Sequence, residues 1–341
     1  LKRKYTMDTE KMSLDEVENL ANEALIGAGT RPESAQSIGR AVRASERDGI
    51  RSHGLHYVPI YCEHVKCGKV DGRAVPKVVQ SRVSAIKVDA KTGFAHPAIE
   101  AGFLELIPLV KSNGCVGLTI CNSYNCGVLG YHVECLAEAG LVGIGFTNSP
   151  ASIAPVGGRK PVIGTNPFAI AVPDSEGGVA FVVDQSASVV AKSEIIMRAR
   201  EGNSIPEGWG LDPEGKATTD PEIALKGSMA PSGGYKGFGT GLLVEVMAAA
   251  LSGAMLGLKA SPFSGTTGGP PRTGQCFIAF DPNAYSGKEF AERITTLTLA
   301  IQSQDGARLP GDRRKENRQR IEIEGVEVEK SLKKQIQSYC T

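Results

Sequence analysis

Apolar residues recur at helical spacing near both ends of the chain and in short unbroken runs through its middle, and this contrast predicts the architecture. Leu14, Val17, Leu20, Ala21, Ala24 and Leu25 share one face of SLDEVENLANEALIGAG. Ser13 with Glu16 three residues on forms a capping box at its start, and Gly27 and Gly29 end it. Pro32 opens a second helix, PESAQSIGRAVRASERDG, closed by Gly49, and a third, short helix is expected from Leu55 to Cys67. Near Gly68 the texture changes. KVVQSRVSAIKVDA alternates like strands, while CVGLTICN, VGIGFTNS, FAIAVP, GVAFVVD and QCFIAFDPNAY read as buried strands between turn signals. HPAIEAGFLELIPLVKSNG reads as a helix kinked at Pro108, LGYHVECLAEAG and SVVAKSEIIMRAREG as helices, and LLVEVMAAALSGAML as a fully buried one. Residues 201–227, rich in Gly, Pro and Asp, predict a surface excursion, and SPFSGTTGGPPRTG a mobile loop. Helical patterning returns in KEFAERITTLTLAIQSQ and VEKSLKKQIQSYC.

The expected fold is therefore α/β (α+β). A central α/β domain with a mixed or parallel sheet occupies 73–284, and a helical domain is built from both ends, 1–72 and 285–341. Composition adds exclusions more than assignments. With 41% hydrophobic and 22% charged residues and a net charge of +1, the chain has the mix of a soluble globular protein. It carries no one-signed field for nucleic acid or an anionic membrane, and no run long enough to span a bilayer. LKRKYTMDTEKM is basic without an apolar core, so it reads as a frayed lead-in rather than a secretory signal, with Met7 or Met12 as candidate native starts. The eight cysteines form no C-x-x-C pair and sit largely in apolar or glycine-rich runs, which favours a reducing, cytoplasmic compartment.

Several segments carry candidate chemistry, each beside a plainer reading. No P-loop, dinucleotide fingerprint or nucleophile elbow occurs. GGYKGFGTG, Gly233 to Gly241, opens a helix with Lys236 at its start and suits a pyrophosphate, or else only allows close helix packing. NSYNCGVLG, Asn122 to Gly130, is a polar strand-to-helix turn whose Asn122, Ser123 and Asn125 suit a ribose or a nicotinamide amide, or a helix cap. Thr147-Asn148 and Thr165-Asn166, with Arg159 and Lys160 between, could converge on a carboxylate or carbonyl, although turn structure alone explains Asn166-Pro167. Asp184 at a strand end is a ribose ligand or a cap, with Gln185, Ser186 and Ser188 after it and Lys192 and Glu194 further along. In ERDGIRSHGLHYVPIY, the histidines His53 and His56 lack the companions a zinc site needs, so no metal is expected, and His53 is a candidate general acid. RLPGDRRKENR is a solvated basic face or a phosphate clamp.

Taken together, ERDGIRSHG, NSYNCGVLGYHVE, TNSPASIAPVGGRKPVIGTNPFAIAVP, DQSASVVAK, IPEGWGLDPEGKATTDP, GGYKGFGTGLLVEV and LPGDRR make the chain resemble the malate/L-lactate dehydrogenase type 2 family over nearly its whole length. The resemblance implies a non-Rossmann NAD(P)-binding central domain, a homodimer, and hydride transfer between NAD(P)H and the 2-carbon of a 2-oxo or 2-imino acid. It implies His53 as proton donor, Ser52 as its hydrogen-bonding neighbour and Glu194 as the carboxylate of the relay. It implies Thr165 as a substrate contact, with Tyr57 and Tyr61 facing the substrate. Cofactor contacts follow at Asn122, Tyr124, Asn125, Cys126, Gly127, Val128, Asp184, Gln185, Ser186, Lys192, Ser193, Tyr235, Lys236, Arg308, Gly311, Arg313 and Arg314. The chain departs from the family pattern in two places. Tyr57 stands where the family has an arginine that grips the substrate carboxylate, and Asn125 stands where many members have histidine. Tyr57 offers a ring face and no second positive charge. The expected substrate is thus Δ1-pyrroline-2-carboxylate or its six-membered analogue Δ1-piperideine-2-carboxylate. A malate- or lactate-type dehydrogenase is the alternative, and a nucleotide-binding protein that has lost catalysis is the alternative of another class. Arg308, Arg313 and Arg314 lean the cofactor towards NADP rather than NAD.

Overall fold

A computed structural model of the chain describes residues 8–340. The first strand, β1 (Thr9–Met12), leads into α1 (Leu14–Gly27) and α2 (Pro32–Arg47). The capping box at the start of α1 forms as expected. Ser13 Oγ accepts the Glu16 N–H at 3.2 Å and the Glu16 carboxylate accepts the Ser13 N–H at 2.7 Å. Two 3₁₀ turns, Arg51–His53 and Leu55–Tyr57, precede α3 (Val58–Lys66). Strands β2 (Lys77–Arg82) and β3 (Ala85–Asp89) and helix α4 (Ala95–Asn113) follow, with Pro108 inside the helix. Next come β4 (Cys115–Ser123), α5 (Leu129–Glu138), β5 (Val142–Thr147), β6 (Phe168–Pro173), β7 (Val179–Gln185) and α6 (Lys192–Glu201). The excursion contains the two-residue strands β8 (Gly210–Leu211) and β9 (Ala217–Thr218) and helix α7 (Pro221–Lys226), and β10 (Ser228–Met229) closes a small sheet with them. The chain finishes through α8 (Tyr235–Val244), β11 (Thr273–Phe280), α9 (Lys288–Gln302), α10 (Asp312–Glu324), β12 (Val326–Glu329) and α11 (Lys330–Gln337).

The centre is a mixed seven-stranded sheet in the order β2-β3-β4-β11-β5-β6-β7. Only β3 and β4 run parallel; the other neighbours are antiparallel. Late in the chain, β11 inserts between β4 and β5 and so locks the sheet's middle. Helices α4 and α5 cover one face over Val116, Leu118, Ile120 and Phe277, all fully buried. Each such side chain contributes about 1.5–3 kcal/mol relative to exposure.

The two chain ends meet. β1 pairs antiparallel with β12, from Thr9 opposite Glu329 to Met12 opposite Val326. Gly27 has no Cβ to strike the Tyr339 carbonyl, which would lie 2.0 Å away. Val17, Leu20 and Leu25 of α1 therefore share a core with Ile321, Val328 and Ile336.

Several expectations change. The lead-in is not frayed throughout, because Thr9–Met12 is a paired strand, while Met7 lies outside the described residues. The segment Ser188–Ala191 precedes α6 rather than forming its start; Ser188 instead bridges to Pro231. The apolar helix α8 runs on through a π turn, Glu245–Ala250, and is half-buried, not fully buried. Val244, Ala248 and Ala249 are fully covered, whereas Leu242, Leu243, Val246 and Leu251 are about half or more exposed. The loop SPFSGTTGGPPRTG is tied down at its start. The fully buried Lys69 donates from Nζ to the carbonyls of Pro262, Ser264 and Gly265 at 2.8, 3.1 and 2.8 Å.

Arg318 on α10 joins all these parts. Its guanidinium donates to both carboxylate oxygens of Asp48 (2.7 and 2.8 Å) and to both of Glu134 (2.7 and 2.6 Å). Asp48 ends α2 and Glu134 lies on α5, both buried. Removing the guanidinium would leave the buried Glu134 without its cation and Asp48 with the 3.0 Å bond from Arg47 Nε. Arg318→Ala should lower unfolding free energy by about 3 kcal/mol or more, read from urea denaturation midpoints. A change below about 1 kcal/mol, the range of a surface ion pair, would show that the hub carries little.

Candidate active site

The turn after α2 presents His53. Ile50 N–H donates to the Ser45 carbonyl, and the His53 and Gly54 N–H groups close the 3₁₀ turn on Ile50 and Arg51. Ser52 Oγ and His53 Nδ1 share a 3.0 Å hydrogen bond. Among the described residues Nε2 has no hydrogen-bond partner, so it is the ring nitrogen left for chemistry. Burial lowers the His53 pKa from its usual 6.5, and the Asp184 carboxylate, pulling the other way, does not offset it. Glu194 is half-buried in the first turn of α6; Asp184, not Glu194, is the carboxylate whose field reaches the imidazole.

An aromatic cluster backs this histidine. The Tyr57 ring lies parallel to His53 with centroids 6.1 Å apart, and Tyr61 meets Tyr57 edge-on at 4.7 Å. Tyr61 packs in turn on Phe94, His96 and Tyr124. The phenol of Tyr57 is pushed up to about 12 by burial. The Tyr124 ring is buried in the cluster with its hydroxyl on His64 Nδ1, so any cofactor contact there belongs to its backbone.

The strand-to-helix turn joins this stretch through Asn125. Its side chain accepts the Gly127 N–H at 2.7 Å, shaping the turn, and donates to the Tyr57 hydroxyl at 3.4 Å. Gly127 has φ 67°, a conformation that glycine adopts without cost. A Cβ there would also lie 3.2 Å from His96 Nε2. The buried His132 donates from Nε2 to the Cys126 carbonyl at 2.8 Å, and its ring lies 5.5 Å from that of His96. Cys126 and Val128 are buried. Asn122, by contrast, donates to Asp89 at 3.0 Å and is turned to the neighbouring strand.

Asp184 ties further segments together. One oxygen accepts the Gly130 N–H at the start of α5 (2.9 Å) and the Arg314 guanidinium (3.0 Å). This carboxylate is therefore a cap on another helix, and Arg314 is spent on it. Gly311 begins α10 against Val182, while Arg308 and Arg313 are exposed. Beside this, Ser186 and Ser188 share a 3.0 Å hydroxyl bond, and Ala187 N–H donates to the Thr165 carbonyl. Thr165 is held by Ser149 Oγ, 3.1 Å from its N–H and 3.3 Å from its hydroxyl. Asn166, fully buried with φ 37°, donates to the Gly241 carbonyl (2.9 Å) and Glu245 (2.7 Å), anchoring α8. The Thr-Asn dipeptides are thus hubs: Asn148 likewise spans Gly274 and Met255. Arg159 and Lys160 are exposed on the intervening turn.

At the start of α8, Gly233 and Gly234 have φ of 65° and 64°, and a Cβ on either would meet nothing within 4 Å. Tyr235 and Lys236 are exposed there, as are Gln185, Lys192 and Ser193 on the neighbouring segment. Bare backbone N–H groups, a helix N-terminus and a lysine suit an anionic phosphate. A cleft of about 480 Å³ between Lys11–Asp15 and Ile321–Gly325 contains none of these groups. Among the described residues no cluster of His, Cys, Asp and Glu has metal-binding geometry.

Sequence reading missed Arg318, His96, His132 and Glu46. His96 shares a helical face with Ile99 and Phe103, and Glu46 continues the buried face of Ile38 and Val42; these positions were the available signal.

The Ser52-held imidazole of His53, the glycine turn at Gly127 and the lysine-bearing helix start at Gly233 sit in a nicotinamide-dependent oxidoreductase. The chain belongs to the malate/L-lactate dehydrogenase family, whose model matches residues 12–337. It is similar to (2R)-3-sulfolactate dehydrogenase (NADP(+)) of Chromohalobacter salexigens, at 41% identity over 96% of this chain and 98% of that protein. It is also similar to Δ1-pyrroline-2-carboxylate reductase of Ancylobacter novellus, at 36% identity over 96% of this chain and 97% of that one. The crystal structure of Δ1-piperideine-2-carboxylate reductase from Pseudomonas syringae matches with a TM-score of 0.92 and 34% identity, covering 97% of this chain and 100% of that one. The resemblance read from the motifs is borne out.

The buried histidines set an acid limit. Burial, followed by the fields of His132 and His53, holds His96 well below 6.5, and burial brings His132 to about 4 despite its bond to the Cys126 carbonyl. Below pH 6.5 the unfolded chain binds protons that the native rings refuse, so stability falls as pH falls. His132 alone should lose about 3 kcal/mol between about pH 6.5 and pH 4. Urea titrations of the wild type and His132→Gln over this range should show a flatter profile for the variant.

Proposed function

We propose that the enzyme reduces a small cyclic 2-imino acid, Δ1-pyrroline-2-carboxylate or Δ1-piperideine-2-carboxylate, to the cyclic amino acid, with His53 as proton donor. The observation that carries this reading is the His53–Tyr57 pair: a free imidazole nitrogen flanked by a flat, uncharged phenol ring and not by a second cation. The names of the reductase relatives support it.

NADPH or NADH, when bound, supplies the hydride for the 2-carbon. Everything else falls to side chains. Ser52 hydrogen-bonds Nδ1, which orients the ring and leaves Nε2 to deliver a proton to the imine nitrogen, or to oxygen in a 2-oxo acid. The hydroxyl of Thr165, oriented by Ser149, and the ring of Tyr57 position the substrate, while the expected substrate contact of Tyr61 is indirect, because its ring is buried behind Tyr57. Glu194, half-buried in the first turn of α6, is proposed as the carboxylate of the relay. The backbone of Tyr124 to Val128, with Asn122 and Asn125 shaping it, would hold the nicotinamide end. Asp184, Gln185, Ser186, Lys192 and Ser193 would line the middle, and Gly233 to Lys236 the phosphates. Since Arg314 is already paired, Arg308 and Arg313 are the cations for a 2′-phosphate, which favours NADPH.

In this reading the cofactor site is of a non-Rossmann type on the 73–284 domain, and the segments 1–72 and 285–341 carry the proton donor. The active form is a homodimer in the cytoplasm, taking a small-molecule substrate and neither nucleic acid nor membrane. Helix α9 buries none of its residues within one chain, and α8 leaves an apolar face open, as an interface would. Among the described residues no helix is long and apolar enough to cross a membrane. Analytical ultracentrifugation should give about twice the 35.9 kDa chain mass; a monomer that turns over at full rate would remove the dimer.

The 41% identical sulfolactate dehydrogenase favours a second reading, a 2-hydroxy acid dehydrogenase. Comparing kcat/KM with NADPH and NADH on pyrroline-2-carboxylate, pyruvate, oxaloacetate and, in reverse, sulfolactate decides between them. Preference for oxaloacetate or sulfolactate sinks the imine reading, and no turnover on any of these favours a nucleotide-binding protein without catalysis. His53→Ala should cut kcat by about 10²-fold or more and leave NADPH affinity intact. Because burial lowers the His53 pKa, reductive kcat/KM should fall as pH rises through a value below 6.5.

A further inference from the structure

Glu46 is a buried carboxylate that no step above uses. It sits in the last turn of α2, 3% exposed, directly beneath the two 3₁₀ turns that carry His53. Its Oε1 accepts the Leu55 N–H at 2.7 Å, across nine residues. That N–H belongs to the residue at the junction of the two turns, two positions after His53. Gly54 lies between them, and a Cβ there would stand 2.1 Å from Oε1 and 2.6 Å from the carboxyl carbon. Glycine is therefore required for the carboxylate to reach its donor. Burial raises the Glu46 pKa, while the Leu55 N–H and the Arg51 charge pull it down. The group remains in the interior because it has this one bond to make. An unpaired carboxylate at such a site would be costly, and its placement under a reacting loop points to a positioning task.

We propose that Glu46 is a positioning residue that sets the direction of the His53 ring by clamping the Gly54-Leu55 peptide from below. The clamp fixes the end of the first turn and the start of the second, so the His53 backbone between Ile50 and Gly54 has one conformation. Ser52 then orients the ring about its own bonds, and Glu46 orients the turn that carries both. Displacement of a proton donor by about an ångström costs about 10²-fold in rate with little effect on binding elsewhere. The proposal rests on His53 being the proton donor.

The test compares His53→Ala, Glu46→Ala, Glu46→Gln, Gly54→Ala and the double variant Glu46→Ala/Gly54→Ala, reading kcat on the imine substrate and NADPH affinity by fluorescence titration. Glu46→Ala and Gly54→Ala should each lower kcat about 10²-fold and leave NADPH affinity within about twofold. The first removes the acceptor; the second displaces it by its added methyl and opens no cavity, so it serves if the first folds poorly. Glu46→Gln keeps an acceptor and should recover most of the lost rate. The double variant should be no slower than Glu46→Ala, because the methyl added at Gly54 then has nothing to strike. Glu46→Ala within about threefold of wild type, Glu46→Gln as slow as Glu46→Ala, or multiplying losses in the double variant each overturn the clamp. If His53→Ala itself turns over normally, the reading of His53 has failed, and the clamp with it. A dead His53→Ala beside fast Glu46 and Gly54 variants removes the clamp alone.

Discussion

The fork of Arg318 between Asp48 and Glu134 is the constraint on which the site depends. It takes one side chain from near the C-terminus, one from the end of the second helix and one from the helix that covers the sheet. Asp48 is the last fixed point before the turn that presents His53, and Glu134 lies on the helix whose start follows the Asn125–Val128 turn. Asn317, next to Arg318, donates to the Asp48 carbonyl at 3.1 Å, and Gly49 leaves it room. One turn earlier on the same helix, Arg314 holds Asp184, which holds Gly130. Helix α10 therefore acts as a strap that sets the His53 turn, the glycine turn and the β7 end relative to one another. A buried, doubly bidentate guanidinium suits this task because its planar geometry permits few alternatives.

The strap alone would leave the His53 turn free to tilt. Contacts from the opposite side prevent this. Tyr57 and Tyr61 insert into an aromatic cluster with Phe94, Tyr124 and Phe263, and His64 ties that cluster to the Gly265 carbonyl at 2.9 Å. Asn125 then bridges from Tyr57 to the Gly127 N–H. Tyr57 is thus held from both sides. Its phenol is tied by Asn125 to the strand-to-helix turn, so substituting arginine there would disturb the turn as well as add charge.

Much of this was legible in the chain because it is local. The capping box, the helix ends at glycine and the strand runs depend on residues a few positions apart, and they form where expected. The family was legible too, through the order of the motifs around His53, Asn125, Asp184 and Gly233. Pairings over long separations were not. RLPGDRRKENR read as a solvated face or a phosphate clamp, yet Arg314 and Arg318 meet carboxylates 130 to 270 positions away. Nothing in spacing distinguishes an arginine that faces water from one that faces a distant Asp. The apolar helix α8 misled for a different reason. Periodicity shows that a face avoids water but not what covers it, and here Leu242, Leu243 and Val246 are left open by their own chain.

The Asp184–Arg314 pair also bears on cofactor choice. From the motif alone, an acid at a strand end argues for a ribose 2′-hydroxyl and against a 2′-phosphate, and nearby arginines argue the reverse. In the folded chain the two cancel. The side chains are only 12% and 20% exposed, and the shared oxygen of Asp184 is also occupied by a helix N–H. Neither residue is free to discriminate, and replacing either one would disturb the start of α5 before it altered cofactor preference. Arg308 and Arg313, by contrast, are exposed and have no ion-pair partner among the described residues. An acid already engaged by a guanidinium and a helix N–H cannot by itself argue against a phosphorylated cofactor.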